Sequence, residues 1–418
     1  MIALYKKNLI CICFVSLLLA STTAEAVLAS IKSLGMAATA ISYPLDSFCV
    51  AYNPAGITLV GDRVDLEGGW LHDRARLKIE DNLVPSFNGK FNAMRTKEFY
   101  LGNAGFSKTF FCECFNWSVG VALYNRNFQK TTYNKNIHLF GRSHAGLEYV
   151  NETVASTLAI SICRWHSFGV AFNWQIERLM VNGLQNFDNA IFSTHHGHVT
   201  NRGYDYAYGF SPTIGYRWQM TPHLAIGLVF QPRTHMSKMK KYTGFLVKGR
   251  LDIPDRWGIG VSYDIMPVWT ICFDAELVKW SRIRSLHNKL VVPTSFDTKL
   301  GGRHGSGFGF PDQWYFRAGL EYRIDRDWTL RWGYRHARAL PQKGQTIVNA
   351  LTEDCVEDFM TIGMSWNMNA CSEFSWAFAY GFQKRIKGNH SIPISFGGGN
   401  ANLKERKFFL GAAWGWRF

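Results

Sequence analysis

The sequence predicts an all-β fold: a transmembrane antiparallel β-barrel of about fourteen strands with an N-terminal hatch, a plug of residues inside the lumen. Three observations support this. Large apolar residues alternate with small or polar ones in many short segments, which is the period of a strand with two different faces. The chain starts like an exported protein but lacks a spanning helix. Its last segment, residues 407–418, is rich in aromatic residues and ends in Phe418.

The N-terminus has the three regions of a signal peptide. A basic pair at residues 6–7 precedes a short apolar core at residues 9–20, and Ala-Glu-Ala at residues 24–26 fits the cleavage pattern. We therefore assign residues 1–26 to a signal peptide cleaved near Ala26, so that the mature chain starts at Val27. The alternative is a buried N-terminal strand or helix.

The full chain is 47% hydrophobic and 15% aromatic. After the signal peptide, however, no stretch approaches the roughly 18 apolar residues of a spanning helix. An exported chain of this kind can enter a membrane only as a closed barrel. No linker or shift in composition divides residues 62–418, which we assign to one barrel.

The net charge of +15 is scattered along the chain rather than gathered in one basic patch. This distribution argues against nucleic acid as a partner. It fits a cationic lumen, or a cationic surface that faces anionic lipid headgroups, and it would attract a ligand such as a carboxylate.

The strands are predicted from alternation, in chain order, at residues 64–70, 117–123, 168–174, 224–230, 257–263, 269–277, 314–322, 328–334, 374–382 and 408–418. A soluble β-sandwich has the same pattern with its aromatic residues inside. Export, the aromatic C-terminus and the number of segments favour the barrel. Short turns at residues 219–222, 325–327 and 367–369 contrast with long connections at 180–201, 286–311, 339–357 and 386–404, as expected for two different rims.

Residues 27–61 do not alternate and are rich in Ala, Ser and Gly, which favours a packed plug over a free tail. Leu34-Gly35 near the start of this segment and Asn53-Pro54-Ala55 at its end resemble the hatch of the FadL family of outer-membrane long-chain fatty acid transporters. Residues 251–257, 269–281 and 327–333 are similar to strand-entry motifs of the same family.

This resemblance implies a monomeric, plugged barrel that takes up hydrophobic small molecules, long-chain fatty acids above all, and releases them sideways through its wall. The opening arises from an inward kink in the third strand, here residues 115–128, where Gly120 is the candidate kink; Gly120 is otherwise a small residue facing the lumen. The family holds the ligand carboxylate with basic side chains. Arg178, after Ile-Glu, occupies the matching place, and Lys289 lies close to the second position; a structural ion pair is the alternative role for Arg178.

Other chemistry is not expected. His195, His196 and His198 lie in a long loop with no nearby cysteine and no nearby carboxylate beyond Asp188, and Cys112-x-Cys114 has no matching second pair, so we predict no metal site. No nucleophile motif is present; we predict no catalytic residue and no cofactor. The predicted function is passive uptake in the outer membrane, with barrel-assembly machinery recognising Phe418. The alternatives are a general porin or a surface adhesin-type barrel.

Overall fold

The structure is a computed structural model that describes residues 30–93, 98–113 and 115–418. The signal peptide at residues 1–26, its cleavage near Ala26 and Cys114 lie outside the described residues. Side chains of residues 98–101 are also outside them.

One continuous antiparallel sheet contains every strand of the described part of the chain. The strands are β1 (Arg63–Glu80), β2 (Gly89–Asn92), β3 (Glu98–Phe111), β4 (Phe115–Thr132), β5 (Gly146–Ile162), β6 (His166–Asn182), β7 (Asp205–Gln219), β8 (Leu224–Gln231), β9 (Arg256–Met266), β10 (Trp269–Val278), β11 (Gln313–Arg323), β12 (Trp328–Ala337), β13 (Asp358–Asn367), β14 (Ser372–Ile386) and β15 (Asn400–Arg417).

Strand β15 pairs with β1 along its whole length, from Arg63–Arg417 to Glu80–Asn400, and closes the sheet into a barrel. The short β2 pairs with the end of β1 only. The closed wall therefore has fourteen strands, and the predicted fold class is confirmed.

Alternation places large apolar side chains on the outside of the wall. On β6, Phe168, Phe172 and Trp174 are 47%, 45% and 59% exposed, whereas Ala171 and Asn173 between and beside them are buried. In a membrane, lipid chains cover this outward apolar face, so its side chains are not exposed to water.

The two rims differ as predicted. Short turns join β5 to β6, β7 to β8, β9 to β10, β11 to β12 and β13 to β14, and long connections join the strands at the other rim. These connections contain 3-10 turns and one short helix, Arg284–His287. No helix in the described part of the chain is long and apolar enough to cross a membrane.

The hatch, described from Ser30 to Gly61, lies inside the barrel. It consists of a helical turn (Ile31–Leu34) and two 3-10 helices (Ser47–Ala51 and Pro54–Leu59). Each begins at a polar residue whose side chain accepts a backbone hydrogen bond; these residues are Ser30, Asp46 and Asn53.

Small residues of the wall make room for the hatch. A Cβ on Gly411 of β15 would lie 2.2 Å from Cδ1 of Ile31, and one on Gly363 of β13 would lie 2.8 Å from Cα of Gly35. The small inward residues of the closing strand are therefore explained by the hatch that packs against them.

Candidate functional site

Acidic side chains on the inner wall fasten the hatch. Asp274 of β10 accepts hydrogen bonds from the backbone nitrogens of Ala40 and Ile41, at 2.9 and 3.1 Å. Glu67 of β1 accepts from the nitrogen of Ile31 at 2.7 Å. Buried backbone donors need such partners, so these carboxylates fix the position of the hatch across the lumen.

The Asn-Pro-Ala motif also contacts the inner wall closely. The Asn53 amide donates to the carbonyl of Ile41 at 2.7 Å and to that of Tyr216 on β7 at 3.0 Å. Pro54 and Ala55 pack so closely on Gly169 of β6 that a Cβ there would lie 2.4 Å from their backbone. The motif therefore joins the hatch to the wall, while Leu34 and Gly35 approach β13 and β14 at the other end.

An inner cavity lies above the hatch, inside the barrel. Its wall comes from inward positions of β4–β6 and β9–β11, and its upper lining comes from Phe245, Leu246 and Phe308 of the long loops. Its floor is polar, because Arg256 donates from Nη2 to the carbonyl of Ala51 in the hatch at 2.9 Å.

Three arginines from separate strands meet in this cavity: Arg126 of β4, Arg256 of β9 and Arg317 of β11. Glu276 lies among them, 3.0 Å from Arg317 and 3.7 Å from Arg256, and Asp252 and Asp354 also line the cavity. Nε and Nη1 of Arg256 and Nε of Arg317 are buried without a hydrogen-bond acceptor in the described structure. Buried guanidinium donors without acceptors are costly, so the cavity is suited to an anionic group.

An outer cavity lies among the long loops, and it shares Phe245, Leu246 and Phe308 with the inner cavity. Its lining is almost wholly apolar. The other aromatic residues that line it are Phe140, Phe187, Phe192 and Phe396. The shared residues place the two cavities next to each other.

The sequence alone did not identify these three arginines as candidate binding residues. Arg178 lies on the outward face of β6, where it forms an ion pair with Glu148 at 3.0 Å and stacks on Tyr204, and it lines neither cavity. The structure therefore moves the candidate carboxylate site from Arg178 to the inner arginines. Lys289 is exposed on the loop after Arg284–His287, next to Leu290 of the outer cavity.

The irregular part of β4 is not at Gly120. Gly120 is regularly paired with Ser107 and Thr157, and its missing Cβ leaves space for Ile57 of the hatch. The register shift lies further along, between Asn125 and Asn127. Gly120 is thus a small residue that accommodates the hatch, and Arg126 is the extra residue of the bulge.

Beyond this bulge β4 approaches the lumen, and its ladder with β3 is interrupted. Phe128 and Val150 occupy outward positions, yet each is 2% exposed and belongs to the same apolar cluster as the inward-facing Leu71. Within the described residues, the ladder between β3 and β4 stops at the pair Ala104–Leu123. The segment of β4 above this gap also lines the inner cavity.

The histidine loop does not converge on a common point. Nδ1 of His195 lies 3.0 Å from Oγ1 of Thr194, whereas Nδ1 of His198 lies 3.1 Å from the carbonyl of Lys240. No cluster of His, Cys, Asp and Glu suited to a metal occurs among the described residues. The cysteines that the structure describes are free thiols.

A closed transmembrane barrel filled by a hatch, with an apolar outer cavity and an arginine-lined inner cavity, has the architecture of a transporter of hydrophobic compounds rather than of an open pore. Residues 15–405 match the model of the family described as outer membrane protein transport protein (OMPP1/FadL/TodX). The chain belongs to this family of outer-membrane transporters of hydrophobic compounds, whose members are transporters and channels, not enzymes.

Solved structures show the same fold. A Pseudomonas aeruginosa FadL homologue matches with a TM-score of 0.68 and 12% identity, covering 96% of this chain and 99% of its own. The P. putida toluene transporter TodX matches with 0.64 and 12%, covering 95% and 99%. The Ralstonia pickettii toluene transporter TbuX matches with 0.62 and 14%, covering 95% and 98%. No curated protein matches the chain.

Proposed function

We propose that this protein takes up long-chain fatty acids, or hydrophobic carboxylates of similar shape, by passive diffusion. The observation that carries the proposal is the arrangement of the two cavities: an apolar outer cavity adjoins an inner cavity where buried guanidinium donors of Arg256 and Arg317 lack acceptors. An apolar chain lowers its free energy in the first, and a carboxylate gains charge-assisted hydrogen bonds in the second.

The exit is proposed to be lateral. The hatch lies across the straight path to the periplasmic rim, and wall carboxylates hold it there. The gap between β3 and β4 lies beside the inner cavity and leads towards the apolar exterior of the barrel. A hydrophobic molecule can enter the bilayer there without crossing water. A general porin would need an open lumen, and neither a porin nor an adhesin needs the buried arginines.

A neutral aromatic hydrocarbon is the second candidate ligand. The phenylalanines of the outer cavity favour it, and two of the similar structures are titled toluene transporters. The inner arginines distinguish the two ligands, because a hydrocarbon cannot accept their hydrogen bonds. We also propose that the barrel acts as a monomer, that assembly machinery recognises Phe418, and that Lys289 guides anions to the outer cavity.

The test compares binding of a long-chain fatty acid, the alcohol of equal length and toluene to the purified barrel. Arg126→Gln should weaken binding of the acid by about 10- to 100-fold, the value of a charge-assisted hydrogen bond, and leave the other two unchanged. Arg178→Gln is the matched control and should bind the acid normally. Equal affinity for acid and alcohol, unaffected by Arg126→Gln, would show that the fatty-acid proposal is wrong.

A further inference from the structure

A dense group of cations covers the outer face of the barrel where the sheet closes. It lies at the long-loop ends of β14, β15, β1 and β2. This group, the seam patch, consists of Arg74, Arg76, Lys90, Arg385, Lys404 and Arg406. None of these side chains contacts the hatch or lines the inner or outer cavity, so the proposed transport function does not account for the seam patch.

The strand register brings like charges face to face. Arg74 is directly opposite Arg406, Arg76 is opposite Lys404, and Lys404 is also opposite Arg385 on β14. Directly opposed side chains on antiparallel strands have Cβ atoms about 4.5–5.5 Å apart, and like charges in such pairs are destabilising. Three adjoining pairs of this kind call for a compensating anion.

The described residues supply little of that compensation. Glu80 forms an ion pair with the neighbouring Lys78 and lies 3.9 Å from Arg385. Among the described residues, no carboxylate lies within 4.0 Å of a side-chain nitrogen of the other members of the seam patch. These members are Arg74, Arg76, Lys90, Lys404 and Arg406.

The height of the seam patch matches lipid headgroups. Below it on the same outer face of β1 come His72, Trp70 and Leu66, which belong to the apolar and aromatic belt that meets the bilayer. Arg406 lies over the ring of Phe408, 5.0 Å from its centroid. The cations therefore begin directly where the apolar belt ends.

On other strands the outer face at this end is aromatic, or its cations are ion-paired, as Lys130 and Arg178 are with Glu148. At the same end of β7 the outward residues are Tyr206, Tyr208 and Phe210, all exposed. On β9 and β11 they are Trp257 and Trp314. A general attraction to headgroups would not need such an asymmetric arrangement, whereas one bound headgroup would.

We propose that the seam patch binds a phosphorylated glycolipid of the outer leaflet, with its phosphate groups lying between β15 and β1. Arginine pairs with phosphate through two parallel hydrogen bonds, and the apolar belt below accommodates the acyl chains. The bound phosphates would remove the repulsion across the seam and so stabilise the closure of the barrel. The site is independent of the transport ligand.

The test uses the purified full-length barrel in phosphatidylcholine vesicles with increasing amounts of bis-phosphorylated lipid A. Retained lipid is counted by native mass spectrometry, and the thermal unfolding midpoint is followed in parallel. The variant Arg74→Gln/Arg76→Gln/Lys404→Gln should lose about tenfold or more in apparent affinity and lose the rise in midpoint.

The control Arg142→Gln/Lys238→Gln/Arg303→Gln removes three exposed cations from the long loops and should behave as the unmodified protein. Dephosphorylated lipid A should not be enriched, and inorganic phosphate alone should not raise the midpoint. Equal lipid retention by the seam variant, equal enrichment of the dephosphorylated lipid, or equal stabilisation by inorganic phosphate would each overturn the proposal.

Discussion

At the scale of single residues, glycines of the inner wall decide where the hatch can sit. A Cβ on Gly120 would lie 2.0 Å from Cδ1 of Ile57, and one on Gly215 would lie 2.0 Å from Oδ1 of Asn53. Gly169 meets backbone rather than a flexible side chain. These positions are therefore kept small by contact with the hatch.

Gly169→Ala should displace the hatch. The added methyl group would overlap the backbone of Pro54 and Ala55, and overpacking of this kind costs about 1–3 kcal/mol. We expect a lower unfolding midpoint and a higher ion conductance in planar bilayers. Gly344→Ala, where no atom lies within 4 Å, is the control. Unchanged conductance with Gly169→Ala would mean that this contact does not hold the hatch.

The candidate binding site is formed by single residues, the inner arginines. Each lies on a different strand, and only the closed wall brings them together around Glu276. Their effect depends on burial, because water no longer satisfies their donors. Loss of one such donor should therefore change the affinity for a carboxylate more than the loss of an exposed lysine such as Lys289.

At the scale of elements, the bulge of β4 links the binding cavity to the wall opening. Arg126, the extra residue, points inward and donates to Gln231 of β8 at 2.7 Å. The neighbouring Asn125 bridges the gap by donating from its backbone to Oδ1 of Asn103 at 3.1 Å. One irregularity thus places Arg126 in the inner cavity and interrupts the ladder.

Asn125→Trp should fill this opening. The bulky ring at the edge of the gap should slow uptake of a labelled fatty acid by about tenfold while leaving its affinity in detergent unchanged, since the exit rather than the cavity is blocked. Glu152→Trp changes the residue opposite Asn125 on β5 and serves as control. If uptake by Asn125→Trp remains normal in proteoliposomes, the ligand leaves elsewhere.

The connection between β12 and β13 enters the mouth of the barrel. Tyr133 donates to the carbonyl of Ala350 at 2.7 Å and to Glu353 at 2.8 Å, and Glu405 accepts from the nitrogen of Cys355 at 2.7 Å. Its residues line both cavities, including Leu351 in the outer one. This loop therefore borders both cavities.

Docking of this loop should weaken as the pH rises. Burial raises the pKa of the Asp354 carboxyl to about 6, although Lys407 at 3.3 Å acts to lower it. The folded pKa exceeds the unfolded one, so the contribution to stability is complete below about pH 4 and is lost as the pH passes about 6. The other charged groups around Asp354 are Asp73, Arg335, Glu353 and Glu405.

Hydrogen exchange of the backbone amides in residues 345–357 measures the docking of the loop, after correction for the pH dependence of the intrinsic exchange rate. Protection should be greater at pH 5 than at pH 8, and Asp354→Asn should reduce that difference. Protection that rises with pH would contradict the assigned direction.

At the scale of the whole molecule, the fold was predictable because alternation is local. Period two fixes the face of every side chain without knowledge of neighbouring strands. The alternation along β11 puts Arg317 on the face opposite Trp314 and Phe316, which is the inner face. The alternation along β6 places Arg178 on the face of Phe172 and Trp174, outside, and the choice of Arg178 came from the family resemblance against that pattern.

The binding site was less predictable because it depends on long-range geometry. Arg126, Arg256 and Arg317 are far apart in sequence, and their meeting depends on strand register and on loops that fold over the mouth. The bulge likewise has no glycine to mark it. The hatch motif, in contrast, is contiguous, so its residues could be named before its contacts were known.

The central claim is that the hatch makes this barrel a selective carrier of hydrophobic molecules. The direct measurement is flux into proteoliposomes of a labelled long-chain fatty acid and of a labelled sugar, for the intact protein and for a variant lacking residues 27–56. The intact protein should admit the fatty acid and exclude the sugar, and the deletion should admit sugar. Sugar entry through the intact barrel at the rate of the deletion variant would contradict the account.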